Sequence, residues 1–181
     1  MTTILISSKE TSSHKLFLSL KRCSGLLRPN HRKVRLNQYL AHLAFIPALF
    51  SGSIGWWLAA LIVFYLIHGI GSGCGAHRYF SHHSFQASRW AEVLMATLFT
   101  LASSGSVIGY VLIHHKHHKN SDKEGDPHDP FQMGTLKTWL GILDKKFLTI
   151  DPRAYMRLRS DPLLRNLHDY YFLVIFSVII P

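Results

Sequence analysis

The sequence predicts an all-α integral membrane protein: a transmembrane helical hairpin joined to a cytosolic helical cap rich in histidine, with the chain stopping inside a third membrane helix. Three observations predict it. From Leu36 to His77 there is no Asp, Glu, Lys or Arg, and so long a charge-free apolar run is what a bilayer core demands. Directly before it, residues 1–35 carry eight Lys and Arg against the single acid Glu10, which the positive-inside rule places on the cytoplasmic side. Directly after it the histidines cluster twice, as HRYFSHH at 77–83 and HHKHH at 114–118.

Taken in order, residues 1–35 read as a basic cytosolic arm, Ser-rich enough to admit a transit peptide. Residues 36–76 read as the hairpin. NQYLAHLAFIPALF (37–50) is its first leg, SGSIG (51–55) its turn, and WWLAALIVFYLIHGIG (56–71) its return. Trp56 and Trp57 fall where an aromatic belt would lie, and Pro47 is tolerable in a membrane helix. His42 and His68 inside the hairpin read as histidines bonded within the helices. The alternating Gly69, Gly71, Gly73 and Gly75 lack the strand and helix of a phosphate loop, and read as close-packing positions at the membrane boundary.

Residues 77–166 read as a cytosolic or interfacial region. Its apolar stretch, 88–113, is long enough to span. Arg89, Glu92 and the small polar residues 103–106 argue instead for a helix lying in or under the interface, which keeps both histidine clusters on one side. Asp-Pro pairs at Asp126, Asp129, Asp151 and Asp161 mark turns or helix starts. Residues 167–181 read as the start of a third transmembrane helix.

The net charge of +10 has two readings, a nucleic-acid surface or membrane topology. No nucleic-acid motif accompanies it, so topology is preferred. The two cysteines, Cys23 and Cys74, are no disulfide framework and fit a reducing, intracellular setting.

The histidines carry the chemistry. His114, His117 and His118 stand at i, i+3 and i+4, one face of a helix. His115 and Lys116 point elsewhere. His77 and His82 are five apart, which a regular helix does not align, so a helix end or bent turn is required there. Imidazole is a common ligand of zinc, copper, iron and nickel. Five such ligands and no well-placed cysteine point away from a structural zinc site and toward two metals or an enlarged shell. Spacing alone leaves iron and zinc both open.

HRYFSH (77–82) resembles the first histidine box, H-x-x-x-x-H, of the membrane fatty-acyl desaturases. HHKHH resembles the second, H-x-x-H-H, and KNSDKEGDPHDP (119–130) looks like the segment that follows it in the Δ9 type. The resemblance covers roughly 37–181. It implies a four-helix membrane anchor, a cytosolic cap and a di-iron centre using O2, with His77, His82, His114, His117 and His118 as iron ligands. His83 and His115 are not in ligand positions. Asp126, His128 and Asp129 would support the ligands or organise the cap. The implied reaction inserts a double bond into a fatty-acyl chain, in unsaturated fatty acid biosynthesis. Electrons would come from ferredoxin or a cytochrome b5-like donor drawn to the basic surface. Trp90, Leu94, Phe99 and Tyr110 would line an acyl tunnel, or simply pack.

Two departures from the family pattern matter. The third box, a second H-x-x-H-H, is absent, so the chain reads as a fragment. Where animal acyl-CoA members carry Trp-Ala-Arg-Asp before the second box, this chain has Tyr110-Val111-Leu112-Ile113. Lipid-linked or carrier-protein-linked acyl chains thereby stand level with acyl-CoA. A related hydroxylase or other di-iron oxygenase is the competing enzyme, and a non-catalytic metal-binding membrane protein the competing class. The expected compartment is a bacterial inner membrane or the endoplasmic reticulum, with the boxes on the cytoplasmic side.

Overall fold

The computed structural model describes residues 52–139 and 151–179, with scattered helical positions between 36 and 50. The basic arm, His42 and half of the hairpin's first leg lie outside the described residues. The described residues are helical, with no strand among them.

Helix α1 (Ile54–Tyr65) starts just after Gly52 and Ser53, where the turn is expected. It continues without a break into a wide-turned π-helical segment, Leu66–Ser81. Together they make the one helix, among those described, long and apolar enough to cross a membrane. α1 buries none of its residues, and Ile54, Trp56 and Tyr65 all stand exposed. Apolar all round and bare of protein, it suits hydrocarbon. The helix runs past Gly71 and Gly75 through His77, so the first histidine cluster rides on its end rather than beyond it.

The glycines explain how that end is held. A Cβ on Gly71 would stand 2.6 Å from the Phe99 backbone nitrogen, and one on Gly75 would stand 2.8 Å from the Met95 Cβ. These two positions, four apart, let helix α2 (Arg89–Leu101) lie directly against the π segment, as expected of close-packing glycines. Gly69 meets nothing within 4 Å, and Gly73 only the His68 carbonyl, at 3.5 Å.

Residues 88–113 are two helices rather than one. After α2 the chain reverses through Ser103 (φ 57°) and Gly105 (φ 113°) into α3 (Val107–Asn120), whose N-cap Ser106 accepts from the Gly109 amide. The reversal is what the small polar residues of the stretch provide. It brings the second histidine cluster back beside the first. Phe80, Met95, Ala96, Phe99, Ile108 and Val111 form the core where the three elements meet.

The cap follows as α4 (Pro130–Met133), α5 (Thr135–Trp139), α6 (Pro152–Arg159) and α7 (Pro162–Asp169), leading into α8 (Tyr171–Ile179). Asp129, Asp151 and Asp161 are N-caps of α4, α6 and α7, each followed by Pro and each accepting backbone amides; Pro at N1 gives up only an amide that would be orphaned anyway. Tyr155 and Leu164 seal the cap onto the core. Arg89 pairs both oxygens of Asp161, at 2.9 and 3.0 Å, and Arg159 pairs Asp169 at 2.6 and 2.7 Å.

Candidate metal centre

The first cluster is aligned by the π turn. In an α-helix residues five apart lie roughly 140° apart around the axis. Here the His82 amide donates to the His77 carbonyl at 3.2 Å, an i→i+5 bond, and the wider turn brings the two rings to 4.8 Å in an edge-to-face pair. The segment then ends. The Ser84 amide donates to Arg78, the His83 amide to Tyr79, and His83 takes a left-handed φ of 49°. His83 is exposed and outside the cluster.

The second cluster stands on a regular helix. His114 and His118, one turn apart on α3, stack edge-to-face at 4.5 Å. The Nε2 atom of His114 lies 3.0 Å from that of His82 and 3.1 Å from that of His118. With His77 these residues form a group of four whose ligand atoms all lie within 4.8 Å of one another. A neutral imidazole nitrogen carries one hydrogen or one lone pair. One Nε2 therefore cannot satisfy two other Nε2 atoms as hydrogen-bond partners. Ligand nitrogens about 2.0–2.1 Å from a metal ion stand about 3 Å apart when they are neighbours in its shell. The donor set fits a cation: these four residues could hold a metal ion.

The electrostatics agree. Burial, followed by the neighbouring His118, His77, His82 and His117, pushes the His114 imidazole down to about 4. Burial and then the same cluster lower His82. Both are neutral at physiological pH, the state in which imidazole binds metal.

His117 stands beside this group, its ring 6.3 Å from that of His114 and 5.5 Å from that of His118. Its Nδ1 donates to Asp126 Oδ1 at 2.8 Å. His128 lies 5.4 Å away, ring to ring; burial, then His117, lower it. Asp129 caps α4 and also takes the Gln132 amide at 2.7 Å. Tyr110 stacks on His114, 5.3 Å apart and 14° from parallel, and meets Phe99 edge-on. Trp90 is 72% exposed. A groove of about 290 Å³ lies between α1 with the start of the π segment, α2 and α8, walled by Val63, Leu66, Ile67, Leu98, Leu101 and Ile175; Trp90 and Tyr110 are not among its walls.

Several supports were not read from the sequence. His115 donates to the Ser81 carbonyl at 2.9 Å, tying α3 to the end of the π segment. Tyr79, inside the first cluster, bonds Glu92, and Arg89 bonds both Glu92 and Asp161. The signal for that chain of contacts was present: two charges, three apart, in an otherwise apolar stretch. Ser106 with buried His168, at 2.6 Å, carried no such signal.

No family model and no solved structure matches the chain. Curated proteins do. The chain is 33% identical to the sn-1 stearoyl-lipid 9-desaturase of Anabaena variabilis over 137 residues, 74% of this chain and 49% of that one. It is 41% identical to the enzyme of the same name from Synechocystis over 93 residues, 50% of this chain and 28% of the relative. It is 30% identical to the Delta(9)-fatty-acid desaturase fat-7 of Caenorhabditis elegans over 134 residues, 69% and 39%. The chain thus spans half or less of the length of these relatives. With two histidine clusters gathered at one point and these desaturases as relatives, the chain belongs to the fatty-acyl desaturase family.

Proposed function

We propose that this chain carries the first two histidine boxes of a membrane acyl desaturase that inserts a double bond into a fatty-acyl chain, of the Δ9 type, with a di-iron centre and O2 as co-substrate. The observation that carries the reading is the convergence of the His82, His114 and His118 Nε2 atoms at 3.0 and 3.1 Å. His77, His82, His114, His117 and His118 are the proposed ligands. When bound, the irons supply the O2-dependent removal of hydrogen from an unactivated methylene pair, a step no side chain performs.

The residues supply the setting. The π turn presents His77 and His82 together. His115 and the glycine contacts hold that end against α2 and α3. Tyr110, half-buried and stacked on His114, shapes the approach of the acyl chain, with Trp90 at the exposed rim. His128 and Asp129 organise the cap. A lipid-linked acyl substrate is preferred, since Val111-Leu112-Ile113 offers no cation before the second box and two relatives are named for stearoyl-lipid. Ferredoxin or a cytochrome b5-like protein is the proposed electron donor, drawn by exposed Arg153, Arg157 and Arg165 on α6 and α7. The topology proposed is multi-pass: a hairpin over 36–76, a third span beginning in α8, and the boxes on the cytoplasmic side.

Expression of the source gene in a desaturase-deficient host, with chromatography of the acyl chains, tests the reading. A new double bond is expected, lost in His118→Ala. A hydroxylated chain without a new double bond would replace it with the hydroxylase reading. Tight metal binding with no O2-dependent product would leave metal handling alone.

A further inference from the structure

The chain has four Asp-Pro pairs, and one is used differently. Asp129, Asp151 and Asp161 each cap the helix that follows. Asp126 caps no helix. It is 1% exposed, with one carboxylate oxygen on the His117 Nδ1 at 2.8 Å. The same oxygen accepts the His128 backbone amide at 2.8 Å, and the second oxygen accepts that of Asp122 at 3.1 Å. A buried carboxylate is costly unless it is fully bonded, and this one is.

An acceptor-only group on Nδ1 requires the hydrogen there, and so leaves the lone pair on Nε2. It also fixes the plane of the ring. We infer that Asp126 is a positioning residue of the metal centre, which locks His117 in the Nδ1–H tautomer so that its Nε2 is the ligand atom. The loop 121–128 is then built to bury one carboxylate behind one imidazole. Ligating histidines characteristically carry such a partner, and its loss costs about 10–100-fold in metal affinity. The ligand role of His117 belongs to the desaturase reading above, on which this inference rests; the tautomer does not need it.

The test has two parts. Imidazole ¹⁵N chemical shifts of the metal-free chain report the His117 tautomer directly. Nδ1–H is expected in the wild type. In Asp126→Asn the side-chain amide offers both a donor and an acceptor, so a mixture is expected. His117 in the Nε2–H form in the wild type overturns the inference whether or not the protein desaturates anything. The second part is Co²⁺ titration of the chain as a double-mutant cycle. Asp126→Asn is expected to weaken Co²⁺ binding about 10–100-fold in the wild-type background and to add nothing in His117→Ala. An equal loss in both backgrounds would mean that Asp126 merely holds its loop, and no loss in either would mean that it does nothing for the centre; each sinks the inference. Both readouts as expected, with no new double bond formed by the wild type, would count against the desaturase reading alone.

Discussion

The two histidine clusters meet from two kinds of backbone. The second stands on a regular α-helix, where i and i+4 superpose His114 and His118 with no help. The first has a spacing no α-helix aligns, and works because the chain widens its turn. The difference is one of dependence. Box two is fixed by local geometry and stays legible in any five-residue window. Box one depends on a π segment, and that segment depends on what packs against it.

The sharpest way to break this asymmetry is at Gly71. A Cβ there meets backbone, 2.6 Å from Phe99 N and 2.7 Å from Leu98 C, which cannot swing aside. Gly71→Ala should destabilise the chain by about 3 kcal/mol, the upper end of overpacking, and scatter box one. Gly69→Ala meets nothing and should instead gain about 0.5–1 kcal/mol of helix stability. Detergent unfolding followed by circular dichroism compares them. Equal effects at the two glycines would mean that α2 does not hold the π segment.

Metal titration sharpens the comparison from the other side. If both boxes feed one centre, His82→Ala and His118→Ala should each weaken Co²⁺ binding by at least about 100-fold, the top of the range for losing a mere supporting partner. Retention of affinity in His82→Ala would leave box two as a stand-alone chelator on α3 and dissolve the pairing seen at 3.0 Å.

What was legible follows the same division. The charge-free run, the i, i+3, i+4 histidines, the close-packing glycines and the Asp-Pro starts are local patterns, and each has a counterpart among the described residues. The need for an irregular turn at His77 was readable from the spacing of five; that it is a π segment was not, because turn width is set by packing against α2. Ser103 to Ser106 hint at the break of 88–113 into two helices, but the pattern alone is equally that of one interfacial helix, since a reversal is proved only by the partner it folds back on. The resemblance points to Asp126 and Asp129 alike as supports, and only the fold shows that Asp126 faces His117 while Asp129 caps α4.

A smaller effect separates the metal centre from the reversal between α2 and α3, where Ser106 meets His168. His168 is buried, with Nδ1 on Ser106 and Nε2 without a partner. Around it are Tyr155, Asp169 and Arg159; burial lowers it most, Asp169 raises it and Arg159 lowers it again, leaving it below the ordinary histidine value. As pH falls through about 6.5 the unfolded chain takes up this proton and the folded chain resists it. Stability is therefore greatest above that value and declines below it, until the folded imidazole itself titrates. In His168→Gln the decline should be shallower by up to about 1.4 kcal/mol per pH unit, the slope of a single proton. It should not vanish, because His82, His114 and His128 are shifted the same way. An unchanged slope would mean that His168 is already free to charge in the fold.

The smallest effect tests whether the Asp-Pro pairs really divide into caps and a ligand support. Asp151 accepts one amide, that of Arg153, at 2.9 Å. Asp161 accepts those of Leu163 and Leu164 and also receives Arg89. Loss of a capping oxygen costs about 1 kcal/mol, so Asp151→Ala should lower stability by that much and leave Co²⁺ affinity untouched. Asp161→Ala should cost somewhat more, since Arg89 loses its partner, and the excess should fade in salt, as an exposed ion pair must. Its effect on the metal should stay small, because Arg89 keeps Glu92 and Glu92 keeps Tyr79. If Asp161→Ala weakened Co²⁺ binding as Asp126→Asn is expected to, the cap and the centre would be one mechanical unit, joined through Arg89, Glu92 and Tyr79, and box one would owe its position to α7 as much as to the glycines.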